Sequence, residues 1–71
     1  MNTRETYNKM PEVVRNKIDD IKRRKKIAKE ADKWHELQRI SAEASGYFTG
    51  LRDAGLITER DRQILYIYAT I

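Results

Sequence analysis

Cysteine is absent from this 71-residue chain, so no disulfide can staple it and no thiolate can serve as nucleophile. A single histidine, His35, cannot form a structural zinc site alone. Proline occurs once, at position 11, and glycine three times, at 46, 50 and 55. Helix breakers are therefore missing from Glu12 to Ser45. No apolar stretch exceeds "ILYIYATI", which is far too short to span a bilayer. The opening "MNTRETYNKM" is polar and lacks the apolar core of a signal peptide. There is no Gly-rich phosphate loop, and the chain is too short to enclose a water-excluding pocket. These absences argue against an enzyme, a cofactor and a membrane. They lead to the expectation of a cytoplasmic, non-enzymatic protein.

What is present is charge and helix formers. Charged residues make up 37% and apolar ones 39%, a helical-bundle composition. A chain of this size hides only about 60% of the surface its unfolded form exposes, so helix packing or association must stabilise it. The net charge of +4 is unevenly placed. Residues 15 to 33 hold nine Lys and Arg against four Asp and Glu, a surplus of five positive charges. Residues 34 to 71 hold four against five, and residues 1 to 14 balance.

Pro11 suits the first turn of a helix, where its missing N–H costs nothing, and Glu12 favours the positive helix end. Residues 3 to 9 are a candidate short helical turn within an otherwise flexible segment, residues 1 to 10. Val14, Ile18 and Ile21 form one apolar stripe. Ile27, Ala31, Trp34, Leu37, Ile40, Ala44, Tyr47, Phe48, Leu51 and Ala54 form a second, at steps of mostly three and four. The two stripes point roughly 130° apart. Either the helix breaks or bends near residues 22 to 27, or one long rod packs different neighbours at its ends.

"DAGLITERDRQ", residues 53 to 63, closes one helix and opens another. Gly55 is suited to the left-handed C′ position, with Leu56 folding back. Thr58 is a good N-cap, and Asp61 stands three residues on, as in a capping box. The final helix is expected from about 59 to 70, burying Ile64, Ile67, Tyr68 and Ile71 with Leu65 on the flank. A β-strand for "ILYIYATI" is the rival, but no second strand exists to pair with it. The expected fold is all-α and a single domain, residues 1 to 71. It comprises a basic amphipathic helix (11–26), a second helical stretch (27–54) continuous with it or bent from it, and a C-terminal helix (58–70) folded back as an αα-hairpin.

Residues 51 to 61, "LRDAGLITERD", resemble the helical-hairpin signature of SHOCT-type modules. Similar tails occur in small proteins of phages and mobile elements of Gram-positive bacteria. The resemblance implies a docking or oligomerisation element without catalysis. It covers about a sixth of the chain, and the basic helix before it lies outside the pattern.

The run "KRRKK", Lys22, Arg23, Arg24, Lys25 and Lys26, is the conspicuous charge feature. On a helix, Arg15, Lys22, Lys26, Lys29 and Lys33 fall within roughly 60° of one heading, a cationic ridge about 27 Å long. Such a ridge can follow nucleic-acid phosphates, gaining affinity by counterion release, or meet an acidic protein surface. Its plain alternative is a solvated face with Asp19, Asp20, Glu30 and Asp32 in internal pairs. No base-reading pattern or helix-turn-helix signature surrounds Asn16 or Gln38, so any nucleic-acid contact is expected to be sequence-independent.

Ala42, Gly46, Gly50 and Ala54 recur every fourth residue. Glycine inside a helix costs about 1 kcal/mol against alanine, so close approach of another helix is expected, from this chain or from a partner. A kink at Ser45-Gly46 is the other reading. Trp34 and Phe48 are expected in the core. Tyr66 departs from the heading of the isoleucines and is a candidate exposed anchor. Stacking of a base on Tyr7 or Tyr66 has no support, since neither sits in the basic run. His35, with Asp32 and Glu36 near it, reads as a surface histidine.

The functional expectation is an interaction protein, phage- or mobile-element-encoded, acting on a host nucleic-acid machine in the manner of an anti-CRISPR inhibitor or a transcription modulator. The partner would be a host protein or nucleoprotein complex. The alternatives are a direct DNA- or RNA-binding regulator, with a homodimer as one candidate form, and a helical oligomerisation module.

Overall fold

The computed structural model describes residues 3–71, and four helices account for nearly all of them. They are α1 (Thr3–Asn8), α2 (Glu12–Glu30), α3 (Trp34–Asp53) and α4 (Glu59–Thr70). The fold is all-α, as the periodicity implies, and α3 and α4 form the hairpin. Helices α2 and α3 pack on each other, α4 lies against both, and α1 lies against α4.

Two links of similar design set this arrangement. At the second, Gly55 has φ +77°. Its N–H donates to the Arg52 carbonyl at 2.9 Å, and the Leu56 N–H donates to the Leu51 carbonyl at 3.0 Å. This crossed pair satisfies the last carbonyls of α3. Thr58 then opens α4: its Oγ1 accepts from the Asp61 N–H at 3.0 Å, and the Asp61 carboxylate accepts from the Thr58 N–H, closing the capping box.

The first link repeats the crossed pair without a glycine. Asp32 has φ 58°. Its N–H donates to the Lys29 carbonyl at 3.2 Å, and the Lys33 N–H donates to the Ala28 carbonyl at 2.9 Å. Aspartate tolerates the left-handed region better than most side chains, so it ends α2 where glycine would be usual. The break therefore lies at 31–33, not near residues 22 to 27. The offset between the two apolar stripes reflects this turn, displaced by a few residues.

The core is one cluster. It contains Val14, Ile18, Ile21 and Ala28 from α2, Leu37, Ile40, Ala44 and Phe48 from α3, and Leu65 and Ala69 from α4. The displaced break moves three expected core residues outside. Ile27, Ala31 and Trp34 are exposed, Trp34 by 65%, because each sits on the outer side of the 31–33 link. Ala54 is exposed as well.

On α4 the expected face is also displaced. Leu65 and Ala69 are buried, whereas Ile64 and Tyr68 are half-buried and Ile67 and Ile71 exposed. The cause is tertiary. Helix α4 lies between α1 on one flank and the α2–α3 seam on another, and small Ala69 and Leu65, which is not β-branched, are the residues buried there. Tyr66 is half-buried at the core margin, not a free anchor.

The expected flexible segment is folded from residue 3 onward, and residues 1 and 2 lie outside the described residues. Thr6 is fully buried, the Tyr7 ring meets Tyr68 at 5.1 Å, and the Tyr7 hydroxyl donates to Asp19 at 2.8 Å. That bond, with some burial, raises the Tyr7 pKa above the usual 10.0. Gly46 and Gly50 are exposed, and a Cβ built at either would meet nothing within 4 Å. The expected close approach of another part of this chain does not occur there, and α3 continues through both positions.

Candidate nucleic-acid interface

The site is built from a defect in the core stripe of α2. Val14, Ile18, Ile21, Lys25 and Ala28 follow one another at steps of four, three, four and three, so they share a face. Four of them are buried and apolar; Lys25 is half-buried. It emerges between the first turns of α3 and the last turn of α4. Desolvation, then the charges of Lys29 and Lys22, lower its ammonium pKa from the ordinary 10.5.

The neighbouring cations divide into two sets. Arg23 and Arg24 serve the fold. Arg23 donates to Asp20 at 2.6 Å, and Arg24 Nε donates to Asp20 at 2.8 Å. Arg24 also holds Glu43 of α3 through both terminal nitrogens, and Lys17 reaches the same carboxylate at 2.9 Å. The Arg24 bond first, then Lys17, depresses the Glu43 carboxyl from 4.5 to about 2. Lys22 also serves the fold. Its Nζ donates to the Tyr68 carbonyl at 2.9 Å and lies 4.2 Å from the Tyr68 ring centre, placing a cation at the negative end of α4.

Lys25, Lys26, Lys29 and Lys33 form the second set. Among the described residues none of the four makes an ion pair. Arg15, on the expected ridge, likewise has no ion pair but stands ten residues before Lys25, about 15 Å along the axis. The ridge of the sequence thus contracts to the C-terminal half of α2 and the link that follows. Lys25, omitted from that ridge by its heading, becomes its centre.

Open grooves border this basic end. One, of about 480 Å³, runs between Lys25 and Lys29 on one wall and Trp34, Leu37, Gln38 and Ser41 on the other. A second, of about 540 Å³, lies between Lys22, Lys25, Lys26 and Lys29 and the α4 terminus at Thr70 and Ile71. A third, of about 440 Å³, lies on the far side of Trp34, against Lys33, His35, Asp32 and Glu36. Trp34 therefore stands as a wall shared by two grooves. Reading it as core concealed this; the signal that could have revealed it is Asp32, an αL-tolerant residue two positions earlier.

Elsewhere, His35 is exposed and no cluster of three or more metal-ligating side chains occurs among the described residues. No helix of the described residues is long and apolar enough to cross a membrane. An apolar hollow of about 300 Å³ lies at the opposite end, between Met10, Val13, Tyr47, Leu51 and Leu56. Neither a family model, nor a curated protein, nor a solved structure matches the chain.

Proposed function

We propose that this chain is a non-enzymatic interaction protein that engages a nucleic-acid-processing machine of its host, touching the phosphate backbone without reading sequence. The observation that carries the reading is the set of four unpaired lysines, 25, 26, 29 and 33, gathered at one end, while the neighbouring arginines are neutralised internally. Surface charge left over after internal pairing is what attracts a polyanion. Phosphate contacts of this kind position a protein but carry no sequence information. The SHOCT-like corner supports placement among small proteins of phages and mobile elements. There, such a chain would restrain a host machine as an anti-CRISPR inhibitor or a transcription modulator does.

Fluorescence anisotropy of a labelled oligonucleotide, titrated with the full chain, tests the reading. If all four lysines meet phosphates, affinity should fall roughly 50- to 150-fold between about 50 and 200 mM salt. The double variant Lys25→Glu/Lys29→Glu should lose binding. Arg60→Glu, an exposed cation on the first turn of α4, should not. Affinity indifferent to salt, or equal loss in the Arg60 variant, overturns it. Binding to an acidic protein but to no nucleic acid would move the reading to its rival, an acidic partner surface.

A further inference from the structure

Tryptophan is the largest apolar side chain, and it is highly buried on average. Trp34 is 65% exposed and is the chain's single tryptophan. It is the first residue of α3, held by the tight link through Asp32, and its main-chain position is fixed by the Lys33–Ala28 and Leu37–Lys33 hydrogen bonds. Among the described residues no other aromatic ring stacks on it, and no cation lies over it. Its ring is presented by a rigid helix end. It is also bracketed by cations: Lys25 and Lys29 line the groove on one side, Lys33 the groove on the other.

We propose that Trp34 is a stacking platform for one base of a single-stranded nucleic acid, whose phosphates pass over Lys25 and Lys29 and leave toward Lys33. This rests on the phosphate-binding reading above and narrows it to single strands. In a duplex each base is covered by its neighbours, so a protein ring has no base face to meet; an unpaired strand offers one at every nucleotide. Aromatic stacking combined with a basic track is the usual composition of sequence-tolerant single-strand binding. Gln38 and Ser41 follow Trp34 at steps of four and three on the same face of α3 and line the same groove. Each can both donate and accept a hydrogen bond, so either can meet the edge of any base. Asp32 and Glu36 line the groove beyond Trp34. Glu36 is engaged by Arg39 at 3.7 Å. The carboxylates place the better phosphate track on the Lys25–Lys29 side.

The lone tryptophan is its own probe. The full chain is titrated with a short oligothymidylate, with an abasic deoxyribose-phosphate oligomer of equal length, and with a duplex. Anisotropy reports binding and tryptophan emission reports stacking. Oligothymidylate should bind best and quench Trp34 with the same midpoint; the abasic strand and the duplex should bind more weakly and leave the emission unmoved. Trp34→Leu should weaken oligothymidylate binding roughly 5- to 150-fold, and Trp34→Phe should restore most of it. Thermal melts check that both variants fold, as expected for a side chain mostly in solvent. If oligothymidylate and the abasic strand bind equally, or Trp34→Leu binds like the parent, stacking is overturned while phosphate binding stands. If no nucleic acid binds and an acidic peptide does, both fall.

Discussion

Replacing Glu43 with glutamine should destabilise the bundle at neutral pH and leave it unaffected in acid. Glu43 is the point at which α2 is tied to α3: Arg24 binds it in bidentate fashion and Lys17 adds a third bond. Its pKa is depressed to about 2 from 4.5. Taken at face value, that shift would represent about 3 kcal/mol. The side chain keeps 39% of its surface in water, so solvent screens the interaction and about 1 kcal/mol is the appropriate expectation. Because the folded-state pKa is lowered, the contribution is fully present above pH 4.5. It is lost as pH falls from 4.5 through about 2, below which folded and unfolded carboxyls are both protonated. Glutamine preserves shape and one acceptor but no charge. Thermal denaturation followed by circular dichroism at several pH values provides the readout. For a domain of this size, a 1 kcal/mol change lowers Tm by about 4–8 °C. The difference between parent and variant should be seen at pH 7, shrink below pH 4.5 and vanish only below about pH 2. A difference that persists unchanged in acid would mean that side-chain shape, not the ion pair, joins the helices. No difference at pH 7 would mean that the cross-tie contributes nothing.

Two backbone substitutions should act in the stabilising direction. Gly50→Ala should raise stability by up to about 1 kcal/mol in urea denaturation, since α3 gains helix propensity and the new methyl meets nothing within 4 Å; a loss would show that the face is covered. Asp32→Gly should raise it by about 0.5–1 kcal/mol, because φ 58° is strained for aspartate and free for glycine; a loss would show that the carboxylate itself holds the link.

How far the sequence reveals the fold depends on how local each cause is. The 53–63 corner is fully legible because its whole chemistry, Gly55 at C′ and Thr58 with Asp61 at the N-terminus of α4, lies within seven residues. The 31–33 link is built on the same hydrogen bonds but hides them behind an aspartate. Periodicity therefore detects two faces without locating the turn between them. The face of α4 is not local at all. Its isoleucines are the more apolar choice, yet α1 and the α2–α3 seam decide that Leu65 and Ala69 turn inward. The exposed glycine strip shows the opposite failure: a regular pattern with no packing behind it.

The basic run was legible as charge and illegible as function, because charge alone does not say which cations are already used. The structure divides them by chemistry. Arginine, with a planar fork that can grip a carboxylate in two places, binds Glu43 from Arg24 across α2 and α3 and Glu59 from Arg62 within α4, and Arg52 adds a single bond to Glu59 from α3. The Glu59 carboxyl is accordingly held far below its usual range, by Arg62 first and then Arg52. Lysine, a hydrated point charge on a flexible stem, fills the positions left unpaired around Trp34. A site for a moving phosphate backbone needs that second kind of cation, one that exchanges partners at little cost. The bundle needs the first, because a 71-residue core gives it little stability to spare. Within α2, Arg23 and Arg24 are engaged with carboxylates and Lys17 and Lys22 with α3 and α4, whereas Lys25, Lys26 and Lys29 make no ion pair among the described residues. The outward set lies beside the exposed indole: Lys25 and Lys29 share one groove with Trp34, and Lys33 shares another.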